Sequence, residues 1–145
     1  YAARLDPEDV RAIQEIRMVI DGWIIELAAR LHTPDDLERI DRCIEEGEEA
    51  SETGNVLRAT EMHRRFHLEI EAASGNPYVG LVMEPLRQRT EMVFTVLGAD
   101  EARISWDEHR CIRDAIAARD ESLARKLMVE HIVSALDRFT RQQTS

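Results

Sequence analysis

Four of the five histidines in this 145-residue chain are placed where they could converge on one metal ion. His63 and His67 lie four residues apart in the run TEMHRRFHLEIEAASGN, and His109 and His131 follow in two later segments. Side chains four residues apart are neighbours on a helix, so the first pair can offer two imidazole nitrogens to one centre. Imidazole clusters suit Zn²⁺, Ni²⁺, Cu²⁺, Fe²⁺ or Mn²⁺. The pattern predicts a site for a divalent transition metal without choosing the metal, and we take Zn²⁺ or Ni²⁺ as the first candidates.

The second pair of histidines is symmetric about a turn. His109 precedes Asp120 by 11 residues, and His131 follows it by 11. If the flanking helices pack as a hairpin, each side chain lies about 16 Å from the turn, at 1.5 Å per residue. The spacing therefore predicts that His109 and His131 are level with each other across the hairpin.

The apolar surroundings of these histidines allow two interpretations. A single His on an apolar helix face is most often a hydrogen-bonded core residue that binds no ligand. Four uncoordinated imidazoles in one core would lose hydration worth several kcal/mol and would need partners that apolar neighbours do not offer. We therefore favour a shared metal site. His32, at a helix end beside Thr33 and Pro34, is the histidine that we expect outside the core.

Two arginines are candidates for binding an anionic ligand. Arg17 lies on an apolar helical stripe, where a buried guanidinium needs a carboxylate or phosphate partner. An alternative of equal weight is that Arg17 reaches the protein surface or pairs with an acid such as Asp21. Arg87 is a further candidate because it follows the Ser-Gly-Asn-Pro turn by about as many residues as His67 precedes it.

Breaks and three- to four-residue apolar spacing predict six helical segments that form an antiparallel bundle. The segments are Pro7 to near His32; Asp35 to Glu52, whose acid-rich end from Glu45 is interpreted as a solvated face or loose helix end; Val56 to Ile70; Leu81 to Gly98; Asp100 or Ser105 to Ile116; and Asp120 to Phe139. No strand-like alternation of any length occurs.

Composition narrows the classes of protein. Hydrophobic residues make up 43% of the chain and charged residues 33%, which fits one globular, helix-rich domain. The net charge of -10 argues against nucleic-acid binding by this segment itself, since phosphate contacts need clustered Lys and Arg. No apolar run approaches the roughly 20 residues that span a bilayer, so we expect a cytoplasmic domain. Cys43 and Cys111 are expected to be free thiols.

A metalloenzyme is the alternative function, and the sequence disfavours it. Helical di-iron carboxylate enzymes use Glu-x-x-His motifs, and neither these nor HExxH occurs. Glu108 and Glu130 each directly precede a histidine, which turns the two side chains about 100° apart on a helix. No general base is evident, so we predict that the domain is not an enzyme.

Two runs, FHLEIEAASGNPY and EHRCIRDAIAARDESLARKLMVEHI, resemble the FCD domain, the FadR C-terminal type, of bacterial GntR-family transcription regulators. The EIRMVID and LAAR stretches of the first helix resemble that family as well. The resemblance implies an all-α antiparallel helical bundle of six or seven helices that dimerises and binds a small carboxylate metabolite, in many members over a divalent metal. It also implies that residues 1–145 are this effector-binding and dimerisation domain. The family's N-terminal winged helix-turn-helix, which binds DNA, is expected to be absent from this chain.

The resemblance assigns three of the histidines and departs at the fourth. His67, His109 and His131 match the family's metal-binding histidines, while His63 stands where the family usually has Asp. Four neutral histidine ligands would keep the full charge of the metal and favour an anion. If His63 does not bind the metal, three histidine ligands leave further coordination positions open, or an acid such as Glu84 serves as the fourth ligand. Arg17 also resembles an arginine of the family's first helix that often faces the cavity.

Overall fold

The computed structural model describes residues 6–95 and 98–144 and folds them into six helices, with no strand in those ranges. The helices are α1 (Pro7–Leu31), α2 (Pro34–Glu52), α3 (Val56–Ala73), α4 (Val79–Thr95), α5 (Ala99–Ala117) and α6 (Glu121–Thr144). The prediction of an all-α bundle is therefore confirmed. The predicted end of the fourth helix includes Val96 and Leu97, which lie outside the described residues, and Gly98 is the N-cap of α5.

Short polar side chains begin the helices where the sequence predicts. The Thr33 hydroxyl accepts the Asp36 N–H at 3.2 Å, and the Asp36 carboxylate accepts the Thr33 N–H at 2.8 Å. Asp120 accepts the N–H of Leu123 at 3.1 Å at the start of α6. These bonds satisfy N–H groups that have no partner inside the helix. The Asp120 bond lies at the turn where α5 and α6 fold back on each other.

The acid-rich stretch at the end of α2 is helical through Glu52. Gly47 and Ala50 are buried on its inner face. Glu48 lies on the outer side, where it forms an ion pair with Arg110 of α5. Of the two interpretations left open for this stretch, the solvated helix face is the one observed.

Two pairs of helices enclose one core, with α1 packed along α6 and α2 along α3. Helix α5 contacts both pairs, and α4 packs against α3, α1 and α6. Apolar side chains from all six helices fill the centre, including Ile24, Ile40, Phe66, Met83, Ile112 and Met128. Helices α3, α5 and α6, which carry the candidate histidines, therefore meet around one interior.

Helices α2 and α5 approach closely at Gly47. A Cβ atom at this position would overlap the indole ring of Trp106, so glycine leaves the room that the ring occupies. Trp106 is 1% exposed, and its Nε1–H donates to Ser51 Oγ at 2.9 Å. Its ring lies edge-on to His109, with ring centroids 4.7 Å apart. The close approach thus holds one wall of the histidine cluster in place.

Candidate metal centre

The first two histidines project from one face of α3. The ring centroids of His63 and His67 lie 4.9 Å apart, as expected for residues one helical turn apart. His67 is buried, and His63 is partly exposed but has its Nδ1 atom buried. Phe66, between them in sequence, is buried and packs its ring against that of His109 at 4.3 Å. Helix α3 thus contributes two imidazoles and the phenyl ring that packs against a third, that of His109.

The α5–α6 hairpin brings the other two histidines into contact. The Nε2 atoms of His109 and His131 lie 3.1 Å apart, and His109 has no exposed surface. Ring centroids within the set of four histidines are separated by 4.6 to 6.4 Å. Three helices therefore deliver all four histidines to one place.

The geometry of the cluster fits a transition metal. Ligand nitrogens of His63, His67 and His109 all lie within 4.8 Å of one another. Nitrogens bound tetrahedrally to Zn²⁺ at about 2.0–2.1 Å are about 3.3 Å apart, close to the separation of His109 and His131. Nδ1 of His109 is buried and has no hydrogen-bond partner among the described residues. Three of the histidines could therefore hold one metal ion.

Burial keeps three histidines of the cluster neutral. Burial, which disfavours the imidazolium form, lowers the pKa of His63, His67 and His109 well below the usual value, and neighbouring positive side chains act in the same direction. A neutral imidazole has a lone pair free for coordination. These three imidazoles can therefore coordinate a metal at neutral pH without first losing a proton.

Glu108 orients one of the histidines. Its Oε1 lies 3.2 Å from Nδ1 of His131, which donates to it and so leaves Nε2 of that ring to face the cluster. Burial alone would raise the pKa of Glu108, but the hydrogen bonds and charges of His131 and Arg138 lower it. Glu108 turns away from adjacent His109, as predicted, and reaches the next helix instead. The symmetry about Asp120 that pairs the two histidines also places Glu108 near the level of His131.

Arg17 lies at the cluster. It lines a cavity of about 30 Å³ together with His63, His67 and His131. Its Nε donates to Asp21 at 3.0 Å, and its Nη1 donates to the Thr90 hydroxyl of α4 at 3.0 Å. The predicted alternative that Arg17 pairs with Asp21 is therefore observed. Arg17 also lines the cavity, and its binding of an anionic ligand stays a prediction.

Arg138 lines the same cavity and was missed by the sequence reasoning. It is 5% exposed, and its Nη2 donates to Oε1 of Glu108 at 3.0 Å. Arg138 follows His131 by seven residues, which is two helical turns and therefore the same face of α6. That spacing is the signal that could have identified it.

Arg87 is buried but is not among the described residues that line this cavity. It forms ion pairs with Glu71 and, at 2.6 Å, with Glu84. Burial raises the pKa of Glu71 to about 7, although Arg87 opposes the rise. Glu84 is thus held by an arginine away from the cavity lining.

The expectation that His32 lies outside the core is wrong. His32 is 6% exposed, and its Nδ1 lies 2.9 Å from the Ala28 carbonyl oxygen, to which it donates at the end of α1. The Arg119 guanidinium covers the same helix end and donates to the carbonyl oxygen of His32 at 3.2 Å. Capping of the last turn buries this ring away from the cluster.

Comparison with known proteins identifies the domain. Residues 6–134 match the FCD domain. The chain belongs to the FCD domain family. The match confirms the resemblance noted in the sequence and includes all four histidines of the cluster.

The relatives of this FCD domain are regulators. It is 26% identical over 144 residues to the HTH-type transcriptional regulator LutR of Bacillus subtilis (strain 168), covering 94% of this chain and 64% of LutR. It is 26% identical over 137 residues to the uncharacterized HTH-type transcriptional regulator YcbG of the same organism, covering 94% of this chain and 57% of YcbG. The chain thus spans less than two thirds of each relative. The prediction that the domain is not an enzyme agrees with this family and is confirmed.

Solved structures share the fold. E. coli McbR/YncC superposes with a TM-score of 0.88 at 21% identity, over 97% of this chain and 72% of that one. Streptococcus agalactiae GntR gives a TM-score of 0.78 at 23% identity, over 88% of this chain and 58% of that one. In the described ranges, no helix of the FCD domain is both long and apolar enough to cross a membrane.

Proposed function

We propose that this FCD domain is the effector sensor of a GntR-type transcription regulator and binds a small carboxylate metabolite over a divalent metal ion. His63, His67, His109 and His131 would hold the ion. The observation that carries the proposal is the convergence of these four imidazoles beside a cavity that three of them and a buried arginine line.

The donor set suits a site that attracts an anion. A bound divalent ion supplies open coordination positions and a double positive charge that four neutral histidines do not reduce. Glu108 holds the His131 ring in the orientation that coordination needs. Arg17 provides a fixed cation beside the histidines, with the planar fork that matches a carboxylate. We infer that Arg17 accepts the carboxylate group that the metal leaves unbound.

Arg17 also connects the cavity to α4. Its Nη1 donates to Thr90 of α4, and its Nε donates to Asp21 of its own helix. A carboxylate that competes for Nη1 would weaken the link between α1 and α4. Binding energy that differs between two arrangements of these helices shifts their populations. Such a shift would carry the binding event to a DNA-binding domain elsewhere in the regulator, since the acidic FCD domain is poorly suited to contact DNA.

We infer that two copies of the domain pair through an apolar face of α1 and α4, which pack against each other. Trp23 is 44% exposed and lies one turn after exposed Val19 on α1, while Leu81 and Val82 of α4 are 73% and 54% exposed. Large exposed apolar side chains that form one patch mark interaction sites, and we infer that these four do so across the two helices. A dimer built on it would place the Arg17–Thr90 link directly behind the interface.

Elemental analysis tests the metal site. Protein purified without added metal or chelator is expected to carry about one transition metal per chain. His67→Ala should lose it, and His32→Gln, which alters a buried histidine outside the cluster, should retain it. Thermal shifts with small carboxylates would then be measured on the loaded protein. Absence of metal from the unaltered protein, even after soaking with Zn²⁺ or Ni²⁺, would refute the metal-centred site.

A further inference from the structure

Two buried arginines from neighbouring helices line the histidine cavity. Arg17 of α1 is 8% exposed and Arg138 of α6 is 5% exposed. A guanidinium stays protonated in a protein, so each side chain brings a permanent positive charge to the interior. Buried charges of this kind need partners, and the partners that each arginine has or lacks indicate what the cavity binds.

The nitrogens of Arg17 are largely engaged within the protein. Its Nε donates to Asp21 at 3.0 Å, and its Nη1 donates to Thr90 at 3.0 Å and to Gln14 at 3.4 Å. These bonds fix the guanidinium at the edge of the cavity. A ligand carboxylate can replace the neutral acceptors Thr90 and Gln14 while Asp21 continues to hold Nε.

One buried nitrogen of Arg138 lacks a hydrogen-bond acceptor. Its Nη2 donates to Glu108 at 3.0 Å, but its Nε is buried and has no hydrogen-bond partner among the described residues. A buried N–H without an acceptor is costly, and most such groups in proteins are satisfied. Because Arg138 lines the cavity, an acceptor placed there by a ligand would satisfy it.

The charges of the cavity balance in pairs. Arg17 is matched by Asp21, and Arg138 is matched by Glu108. Histidine nitrogens that bind a metal are neutral. The charge left without a counterpart is therefore that of the divalent ion. One carboxylate would cancel half of it, and two would cancel all of it.

We propose that Arg138 is a second anion-binding residue of this cavity and that the effector is a short dicarboxylate, with one carboxylate at Arg17 and the other at Arg138. This inference rests on the proposed function, because it concerns the ligand of the same site. A cavity of about 30 Å³ holds about two water molecules. The two arginine side chains therefore shift when the ligand enters, and only a short chain fits between them.

Matched pairs of acids test the inference by calorimetric titration of the purified protein, after its metal content has been measured. The probes are malonate with propionate, succinate with butyrate, and glutarate with pentanoate, so that each pair has equal carbon number. At least one dicarboxylate should bind about tenfold tighter than its partner, since it gains a charge-assisted contact. Arg138→Gln should reduce this preference to about twofold or less. Metal content is measured on the same samples, because Arg138 contacts Glu108 behind His131, and the preference is compared at equal metal occupancy.

The control is Arg141→Gln, which makes the same change at an exposed position of the same helix and should keep the full preference. Arg138→Lys, which keeps the charge but not the planar fork, should give an intermediate preference and serves if the glutamine variant does not fold. Equal binding within every pair, or a preference that survives both Arg138 variants, would overturn the inference.

The outcomes separate this inference from the proposed function. Metal present without any dicarboxylate preference refutes the role of Arg138 and leaves the metal site. Metal absent with an Arg138-dependent preference refutes the metal-centred function and leaves the dicarboxylate site. Failure of every acid to bind refutes both.

Discussion

Glu108→Gln tests whether the carboxylate behind His131 tunes the proposed metal site. Oε1 of Glu108 lies 3.2 Å from Nδ1 of His131 and 3.0 Å from Nη2 of Arg138. Glutamine keeps the length of the side chain and one acceptor oxygen but removes the negative charge. The His131 ring becomes a weaker donor to the metal, because a carboxylate at Nδ1 raises the basicity of the coordinating nitrogen.

The size of the effect follows from the surroundings of Glu108. Changes to such outer partners weaken metal binding by about 10- to 100-fold. The Glu108 side chain is 25% exposed, and the glutamine oxygen can still accept one hydrogen bond, so the low end applies. We expect about a tenfold loss of metal affinity, which corresponds to about 1.4 kcal/mol. The metal-free protein should lose about 1–3 kcal/mol of unfolding free energy, because buried Arg138 loses its charged partner.

Competition with a chromophoric chelator measures the affinity, and thermal unfolding of the metal-free protein measures the stability. Glu130→Gln is the matched control, since Glu130 also directly precedes a histidine but is 57% exposed and faces Lys126. The control should bind metal like the unaltered protein. Unchanged affinity in Glu108→Gln, or equal losses in both variants, would refute the reasoning that Glu108 acts through His131.

Three further outcomes are expected. The free energy of unfolding of the metal-free protein should fall as pH drops below about 6.5. In the unfolded chain His63, His67 and His109 then bind protons, which the folded protein does not do because their pKa values are lowered there. Each of them lowers the free energy of unfolding by up to about 1.4 kcal/mol per pH unit. Denaturant titrations should show a shallower pH dependence for His67→Gln, and an identical dependence would contradict this account. Gly47→Ala should cost about 1–3 kcal/mol in the same assay, because its methyl group overlaps Trp106, and a neutral result would mean that α2 and α5 can separate freely. Leu81→Glu should convert a dimer to a monomer in sedimentation experiments, since it places a charge in the proposed interface; an unchanged mass would exclude that face.

Much of the fold could be predicted from the sequence because helix signals are local. Thr33, Asp36 and Asp120 make hydrogen bonds within three residues, so their types mark helix starts without knowledge of the rest of the chain. The pairing of His63 with His67 is equally local. The prediction that His109 and His131 lie level with each other needed only one assumption, that a short turn at Asp120 produces a hairpin.

Contacts between helices depended on the tertiary structure. The contacts of Glu108 with His131 and with Arg138 were not predicted, because they depend on how α5 and α6 are rotated about their axes. Apolar spacing defines such a rotation only coarsely. His32 is buried by a cap that Arg119 supplies from a distant turn.

The sequence by itself determined the six helices, the family, and which residue types could bind a metal, because periodicity and capping act over a few residues. Only the tertiary structure decided that Arg17 and Arg138 line one cavity while Arg87 is held by Glu71 and Glu84 away from it. The physical reason is that a buried charge takes the nearest acid that the packed helices present, and sequence spacing does not specify that neighbour.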